Sequence, residues 1–423
     1  MFGIASLFLP IRVLPFSGAL AADAKIAPRA VAVWLLACCG LIFSMVVVGG
    51  ITRLTLSGLS ITEWKPFIGI IPPLTHSQWL AEFARYQQIP EYRTLHYGMR
   101  LADFKTIFFW EYAHRLLGRL IGVAFAVPLG WFWLRGWLPR RLAPALLGIL
   151  ALGLAQGVLG WYMVESGLAD RIEVSQYRLV AHLVLALAIY SLILWTALGL
   201  ILSPVSAPSK LKSRPPPFRM ERQKSLSAPH PPAARVPPSP RSRAEGCGEG
   251  PTPSPDTDYS HPNRAKAGWR RASEALIAVV GLTVAAGGFV AGTRAGFTYN
   301  TFPLMDGRLV PAGYDRLHPY FRNWFENIPA VQFDHRLLAI TTFAAVVLLT
   351  VAGLRRPLPR PALTALLALL AAAIVQVALG ISTLLLVVPI PLAALHQAGA
   401  VLLLTAAIVF RHTLRSPVSI EMP

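Results

Sequence analysis

The chain has 423 residues, of which 54% are hydrophobic and only 14% are charged. Soluble globular proteins carry about 25% charged residues, so this composition excludes an ordinary soluble domain and favours a membrane protein. The net charge of +19 would also suit a nucleic-acid-binding protein. However, the basic residues cluster in short segments between apolar runs, as membrane topology requires. We therefore expect a lipid bilayer as the environment and no nucleic acid partner.

We interpret the first 29 residues as a poorly ordered N-terminal leader. Its apolar stretch ends in Gly18-Ala-Leu-Ala-Ala22, which weakly resembles a signal cleavage site. Pro10 and Pro15 interrupt the stretch, and proline is unfavourable in a helix interior. We therefore do not count residues 1–29 as a membrane span.

Apolar runs recur after the leader, each long enough to cross a hydrocarbon core of about 30 Å. They do not alternate as the strands of a membrane barrel would, so we predict an all-α integral membrane protein. The eight predicted spans are 30–51, 110–134, 142–164, 177–201, 272–293, 331–353, 361–387 and 391–411.

Arginines in short segments after the even-numbered spans predict the orientation. They are Arg135, Arg140 and Arg141 after the second span, Arg355, Arg356 and Arg360 after the sixth, and Arg411 and Arg415 at the end of the eighth. Basic loops face the cytoplasm, so both termini are predicted to be cytoplasmic. The long connections 52–109 and 294–330 are then expected on the outer side.

Residues 203–270 differ from the rest of the chain because they are rich in Pro, Ser and Arg. Such a segment buries too little apolar surface to fold, so we predict a disordered cytoplasmic linker. It separates an N-terminal half at 30–202 from a C-terminal half at 271–412, which a tail at 413–423 follows. Each half has four spans, so both should have the same orientation and form two four-helix bundles arranged as parallel repeats.

Short motifs recur at matching places in the two halves, which supports the repeat. Gly49-Gly50 matches Gly287-Gly288, Glu111-Tyr-Ala-His-Arg115 matches Gln332-Phe-Asp-His-Arg336, and Gln156-Gly-Val-Leu-Gly160 matches Gln376-Val-Ala-Leu-Gly380. His182 lies near the start of the fourth span, as His396 does in the eighth.

Four of the ten histidines lie in the even-numbered spans, near their outer ends: His114, His182, His335 and His396. Ionisable residues inside a membrane are costly and usually functional. Two imidazoles at similar depth on different helices suit the two axial positions of a haem iron. A zinc or copper site is the alternative, but two histidines in each half are too few for a closed zinc site.

Two further functions would use the same histidines. One is a di-haem b-type cytochrome that transfers electrons with quinol, and the other is a transporter with a histidine proton relay. The di-haem cytochrome does not explain why an acid precedes the first histidine in one half alone, and a colourless purified protein would favour the transporter. Glu111 lies three residues before His114 on the same helix face, whereas Gln332 occupies this position before His335.

A carboxylate beside a haem pocket suits proton transfer, so Glu111 is the candidate catalytic residue. An ion pair of Glu111 with Arg115 or Arg119 is the alternative interpretation. Arg115 and Arg336 directly follow the histidines and are candidates for contacts with haem propionates, because arginine binds carboxylates with two hydrogen bonds. Snorkelling of both arginines to the interface is equally compatible with the sequence.

At these residues the chain resembles heme A synthase, in the branch with the alphaproteobacterial and mitochondrial enzymes. The resemblance covers nearly all of 30–412 outside the linker. The motifs that carry it are Thr52–Pro66, Trp110–Arg119, Tyr299–Gly307 and Phe325–Arg336. Another branch has a cysteine pair in its first outer loop, where this chain has none. The linker is longer than the family usually has, and we expect it to leave the chemistry unaltered.

The resemblance implies a membrane oxidoreductase that oxidises the C8 methyl group of heme O to a formyl group, giving heme A for cytochrome c oxidase. The route would be successive hydroxylation to an aldehyde hydrate that loses water. By position, His114 and His182 would hold the substrate haem, Glu111 would be catalytic, and His335 and His396 would ligate the iron of a resident heme b.

The same resemblance implies the bacterial inner (cytoplasmic) membrane as the location. A heme O synthase would be the upstream partner. The sequence does not identify the electron donor, and it leaves homo-oligomer formation open.

Overall fold

A computed structural model of the chain describes residues 28–63, 68–170, 174–202 and 261–415. Its helices are α1 Pro28–Leu54, α2 His76–Tyr86, α3 Pro90–Leu95, α4 Leu101–Leu134, α5 Ala143–Asp170, α6 Gln176–Leu202, α7 His261–Thr293, α8 Asn323–Glu326, α9 Ile328–Arg355, α10 Arg360–Leu385 and α11 Ile390–Thr413. The all-α prediction is confirmed. Residues 1–27 of the leader, most of the linker and the end of the tail lie outside the described residues.

Eight of these helices are long and apolar enough to cross a membrane, which confirms the predicted number of spans. They are α1, α4, α5, α6, α7, α9, α10 and α11. The division into two four-helix bundles, and the domain boundaries drawn from it, stay predictions.

Two helices begin well before their predicted spans. Helix α4 starts at Leu101 instead of residue 110, because its first turns pack through aromatic side chains. Phe104 and Phe108 lie in a buried cluster with Phe83 and Tyr86 of the preceding segment. Helix α7 starts at His261, so residues 261–270 of the predicted disordered linker are helical. Polar residues exclude a membrane span, but they do not prevent a helix from forming.

The connection between α1 and α4 has structure of its own. Helix α2 begins with a capping box, in which Thr75 Oγ1 accepts from the Gln78 amide and the Gln78 side chain accepts from the Thr75 amide. Helices α2 and α3 then pack their aromatic residues against the first turns of α4. This segment therefore covers the end of α4 that leads to His114.

Helices α1, α6 and α11 pack against one another at the centre of the spanning region. Gln397 Nε2 on α11 donates to the Val46 carbonyl of α1 at 2.8 Å, and Tyr190 Oη on α6 lies 2.7 Å from Thr405 Oγ1 on α11. Arg53 at the end of α1 donates to the carbonyls of Ala291 and Gly292 at the end of α7. The ends of α1 and α7 therefore lie side by side.

Candidate functional site

The two histidines of the N-terminal half lie on helices that face each other across a bundle. Helix α1 packs against α4 and α6, and α5 also packs against α4 and α6. His114 on α4 and His182 on α6 are therefore on opposite sides of a four-helix ring. Both residues are half-buried.

Each of the four histidine rings lies against a glycine of a neighbouring helix. The four pairs are Gly49 with His114, Gly160 with His182, Gly287 with His335 and Gly380 with His396. A methyl group added to the glycine would lie 3.1 Å from Nε2 of His114, and 3.0 Å, 3.0 Å and 2.8 Å from Cε1 of His182, His335 and His396, respectively. The missing Cβ atoms allow the backbone and the imidazole to approach closely.

A half-buried glutamine lies beside the second histidine of each half. Gln156 Nε2 donates to the main-chain oxygen of His182 at 2.9 Å, and Gln376 Nε2 donates to that of His396 at the same distance. These bonds join α5 to α6 and α10 to α11 at the level of the histidines. They hold the backbone that carries each ring.

His335 also has a partner that fixes its ring. Its Nδ1 lies 3.1 Å from the carbonyl oxygen of Thr283 on α7. A carbonyl only accepts, so Nδ1 carries the hydrogen and Nε2 keeps its lone pair. Metal-bound histidines typically have such an outer hydrogen bond.

Glu111 is almost completely buried, with 2% of its surface exposed. Its Oε2 accepts from the Ser60 hydroxyl and the Ile61 amide, each at 2.7 Å. Its Oε1 accepts from Arg115 Nε at 3.0 Å and from a terminal nitrogen of Arg115 at 2.6 Å. The ion pair with Arg115 that the sequence left as an alternative is therefore present.

Arg115 also donates to the carbonyls of Ile61 and Glu63. It thereby ties the segment after α1 to the helix of His114. Arg115, Glu63 and Glu165 line a small crevice beside this segment. The Glu111 carboxylate is thus held from two sides, by Ser60 and Ile61 of the segment after α1 and by Arg115 of its own helix.

The equivalent position in the C-terminal half has the same layout without the acid. Gln332 is buried, and its Nε2 donates to the Tyr299 carbonyl at 3.2 Å. Arg336 donates to the carbonyls of Tyr299 and Thr301. The nearby Asp334 accepts a hydrogen bond from Tyr314 at 2.8 Å. This acid therefore contacts the connection between α7 and α8 and not Gln332.

The donor set fits haem better than a bare metal ion. Among the described residues, no group of three or more His, Cys, Asp and Glu side chains could hold a metal ion. Each half instead offers two imidazoles, the set that suits the axial positions of haem iron. His182 Nδ1 is buried without a hydrogen-bond partner within the described ranges, so this imidazole has an unused polar atom.

Comparison with known proteins then decides the family. A sequence profile described as cytochrome oxidase assembly protein, COX15-CtaA, matches residues 32–222 and 253–408. The chain belongs to this family. A relative in Nitrosospira multiformis, named heme A synthase, is 46% identical over 387 residues, which are 92% of this chain and 94% of the relative. The human relative, named heme A synthase COX15, is 39% identical over 94% of this chain and 86% of the relative.

A heme A synthase from Rhodospirillum centenum is 45% identical over 92% of this chain and 90% of the relative. Bacterial and mitochondrial members of the COX15-CtaA family therefore align with nearly the whole chain. The resemblance deduced from the motifs is confirmed. The roles assigned to individual residues stay predictions.

Sequence reasoning missed how the repeated motifs serve the histidines. It identified Gly49-Gly50 and Gln156–Gly160 as repeats but gave them no role. The structure places Gly49 against His114, and both Gln156 and Gly160 against His182. The signal was present, because a glycine or glutamine that recurs with a histidine in both halves is expected to contact it.

Proposed function

We propose that the protein oxidises the C8 methyl group of heme O to a formyl group and so produces heme A for cytochrome c oxidase. The observation that carries this proposal is Glu111, a buried carboxylate one helical turn before His114, whose counterpart is Gln332. The similarity to heme A synthases over nearly the whole chain supports the same reaction. A di-haem quinol cytochrome would use the histidines equally well but gives the acid no task.

His114 and His182 would hold the substrate haem, and His335 and His396 would ligate a resident heme b. A bound heme b supplies one-electron transfer. The Nδ1–H of His335 donates to Thr283 and leaves Nε2 available, which supports a ligand role. The glycines beside all four rings support the same use of both pairs.

Glu111 would accept or hold a proton near the reacting methyl group. Its Oε2 lies 2.7 Å from Ser60 Oγ, and a hydroxyl can both donate and accept. A proton can therefore pass between Oε2 and the segment that follows α1. Arg115 fixes Oε1, so Oε2 is the better candidate for transfer.

Arg115 and Arg336 would contact haem propionates. Arg336 Nε is buried without a hydrogen-bond partner in the described part of the chain, which leaves it a donor for a carboxylate. Arg115 already anchors Glu111 and two loop carbonyls. Its contact with substrate would therefore also position the loop.

The protein would lie in the bacterial inner membrane with both termini in the cytoplasm. Six exposed arginines at the ends of α4, α5, α9 and α10 lie away from the histidines: Arg135, Arg140, Arg141, Arg355, Arg356 and Arg360. The positive-inside rule places this end in the cytoplasm. The histidines would then lie near the outer face, and a heme O synthase would supply the substrate.

The proposal is tested by co-expressing the chain with an enzyme that makes heme O and extracting the pigments. Wild type should yield heme A, and Glu111→Gln should yield none while the spectrum of the resident haem is unchanged. Asp103→Asn, which removes an exposed carboxylate on α4, is the matched control and should retain activity. Folded wild-type protein that makes neither heme A nor an oxidised haem would refute the proposal.

A further inference from the structure

The two histidine pairs are connected through the double glycine of α1. Gly49 lies against the ring of His114, where an added methyl group would be 3.1 Å from Nε2. Gly50, the next residue, lies against the side chain of Gln397 on α11, and a methyl group there would be only 2.6 Å from Cδ of this glutamine. Gln397 directly follows His396. A short chain of contacts therefore leads from a histidine of one half to a histidine of the other.

A hydrogen bond fixes the middle of this chain of contacts. Gln397 Nε2 donates to the Val46 carbonyl of α1 at 2.8 Å. Val46 lies about one helical turn before Gly50, and a carbonyl oxygen has two lone pairs, so it can accept from this side chain as well as from its own helix. The missing Cβ of Gly50 gives the side-chain amide room to reach that carbonyl. Gly50 and Gln397 therefore act together to dock α11 on α1.

The matching contact of the other double glycine is apolar. Gly288 on α7 is the counterpart of Gly50, and a methyl group there would lie 3.3 Å from Cδ2 of Leu183 on α6. Leu183 directly follows the second histidine of its half, as Gln397 does. A leucine side chain packs against the glycine but has no group that can donate a hydrogen bond. Packing between the halves therefore does not require an amide at this position, and the amide of Gln397 needs a reason of its own.

The hydrogen bond of Gln397 gives the His396 segment a second anchor. Gln376 of the same half donates to the main-chain oxygen of His396 at 2.9 Å, whereas Gln397 ties the next residue to the other half. Packed side chains and hydrogen bonds can carry coupling between sites. We propose that Gln397 is a positioning residue that couples the two histidine pairs, by holding the His396 segment against the turn of α1 that contacts His114. This role rests on the proposed function, because it takes each pair as a haem site.

The test makes a substitution in one half and measures the haem of the other. Full-length wild type, Gly50→Ala and Gln397→Met are co-expressed with an enzyme that makes heme O and purified with their bound haem. Gly50→Ala displaces the side-chain amide, and Gln397→Met replaces it by a thioether of similar length. The electron paramagnetic resonance g-values of the resident haem report the orientation of its axial imidazoles. They should shift in both variants, although Gly50 lies on a helix of the other half.

Both variants should also form about threefold less heme A, which corresponds to the ~0.6 kcal/mol that an interhelical hydrogen bond contributes on average in a membrane. The double variant should lose no more than either single one, because both substitutions act on one bond. Gly40→Ala is the matched control on α1, since a methyl group there meets no atom within 4 Å. It should leave the g-values and the product unchanged.

Unchanged g-values in Gly50→Ala and Gln397→Met would overturn the coupling, even if both variants had a lower Tm, because a purely structural contact would affect stability alone. Additive losses of product in the double variant would also overturn it. Wild type that binds haem but forms no heme A would refute the proposed function and not the coupling, since the g-values do not depend on turnover.

Discussion

Replacing a glycine beside a histidine by alanine tests the role of that histidine, and the same replacement can be made in both halves. Gly160 and Gly380 occupy equivalent positions in the repeat, against His182 and His396. Gly160→Ala should reduce heme A formation while the resident haem stays bound. Gly380→Ala should instead reduce the content of resident haem. The opposite outcomes follow from the proposed use of the two histidine pairs.

The magnitude follows from the distances. A methyl carbon would lie 3.0 Å from His182 Cε1 and 2.8 Å from His396 Cε1, whereas carbon atoms prefer about 3.5–4.0 Å. The ring or the helix must therefore move by about 0.5–1 Å. Metal–ligand distances tolerate about 0.2 Å, and a misplacement of about 1 Å can reduce turnover about 100-fold. We expect a decrease of that order in product for Gly160→Ala.

The assay measures resident haem per polypeptide and extracted heme A for each variant. Gly157→Ala is the control on the same helix, because a methyl group there meets no atom within 4 Å. Replacing glycine by alanine in a helix interior is otherwise favourable by about 0.5–1 kcal/mol, so this variant should fold and remain active.

Product formation by Gly160→Ala equal to that of Gly157→Ala would refute the reasoning. It would mean that the ring of His182 does not need its observed position. Loss of resident haem in Gly160→Ala, with full retention in Gly380→Ala, would reverse the assignment of the two halves.

Two other predictions concern hydrogen bonds. Gln376→Leu removes the 2.9 Å hydrogen bond to the main-chain oxygen of His396, so the resident haem should dissociate faster. The dissociation rate is measured by the transfer of haem from this protein to apo-globin. An unchanged rate would contradict a positioning role for Gln376. Burial, and then the charge of Arg294, lower the pKa of His96 from its ordinary value of 6.5, so the unfolded chain binds a proton that the folded chain does not. Stability should therefore decrease as the pH falls below about 6.5, and His96→Gln should flatten this part of a Tm-against-pH curve.

The hydrogen bonds around His96 are consistent with a neutral ring. Its Nδ1 lies 2.5 Å from Tyr86 Oη, and Tyr86 donates to the Glu91 carboxylate at 3.2 Å. A tyrosine hydroxyl has one hydrogen. With that hydrogen on the bond to Glu91, His96 Nδ1–H must be the donor to Tyr86. Protonation of the second ring nitrogen would add a charge to a partly buried group.

The sequence was sufficient to predict the spans and the candidate residues. Apolar runs follow directly from the requirement that a helix satisfies its backbone in lipid, and all eight are present. The matching histidines could be located because a repeat preserves position along the chain. Glu111 could be distinguished from Gln332 by comparing the two halves.

The partners of these residues could not be predicted because they depend on packing. Ser60 and Ile61 are about fifty positions from Glu111 in the chain, and no helical spacing relates them to it. The nine extra residues at the start of α4 were missed because aromatic packing on α2 and α3 stabilises them outside the apolar run. A search for apolar spans has no information on such tertiary contacts.

The division of labour between the two histidine pairs is the central claim, and haem stoichiometry tests it most directly. The measurement is resident heme b per polypeptide in His114→Ala and His335→Ala, each purified after co-expression with an enzyme that makes heme O. His335→Ala should lose the resident haem, whereas His114→Ala should retain it and form no heme A. Retention of the resident haem by His335→Ala, together with its loss from His114→Ala, would contradict the account.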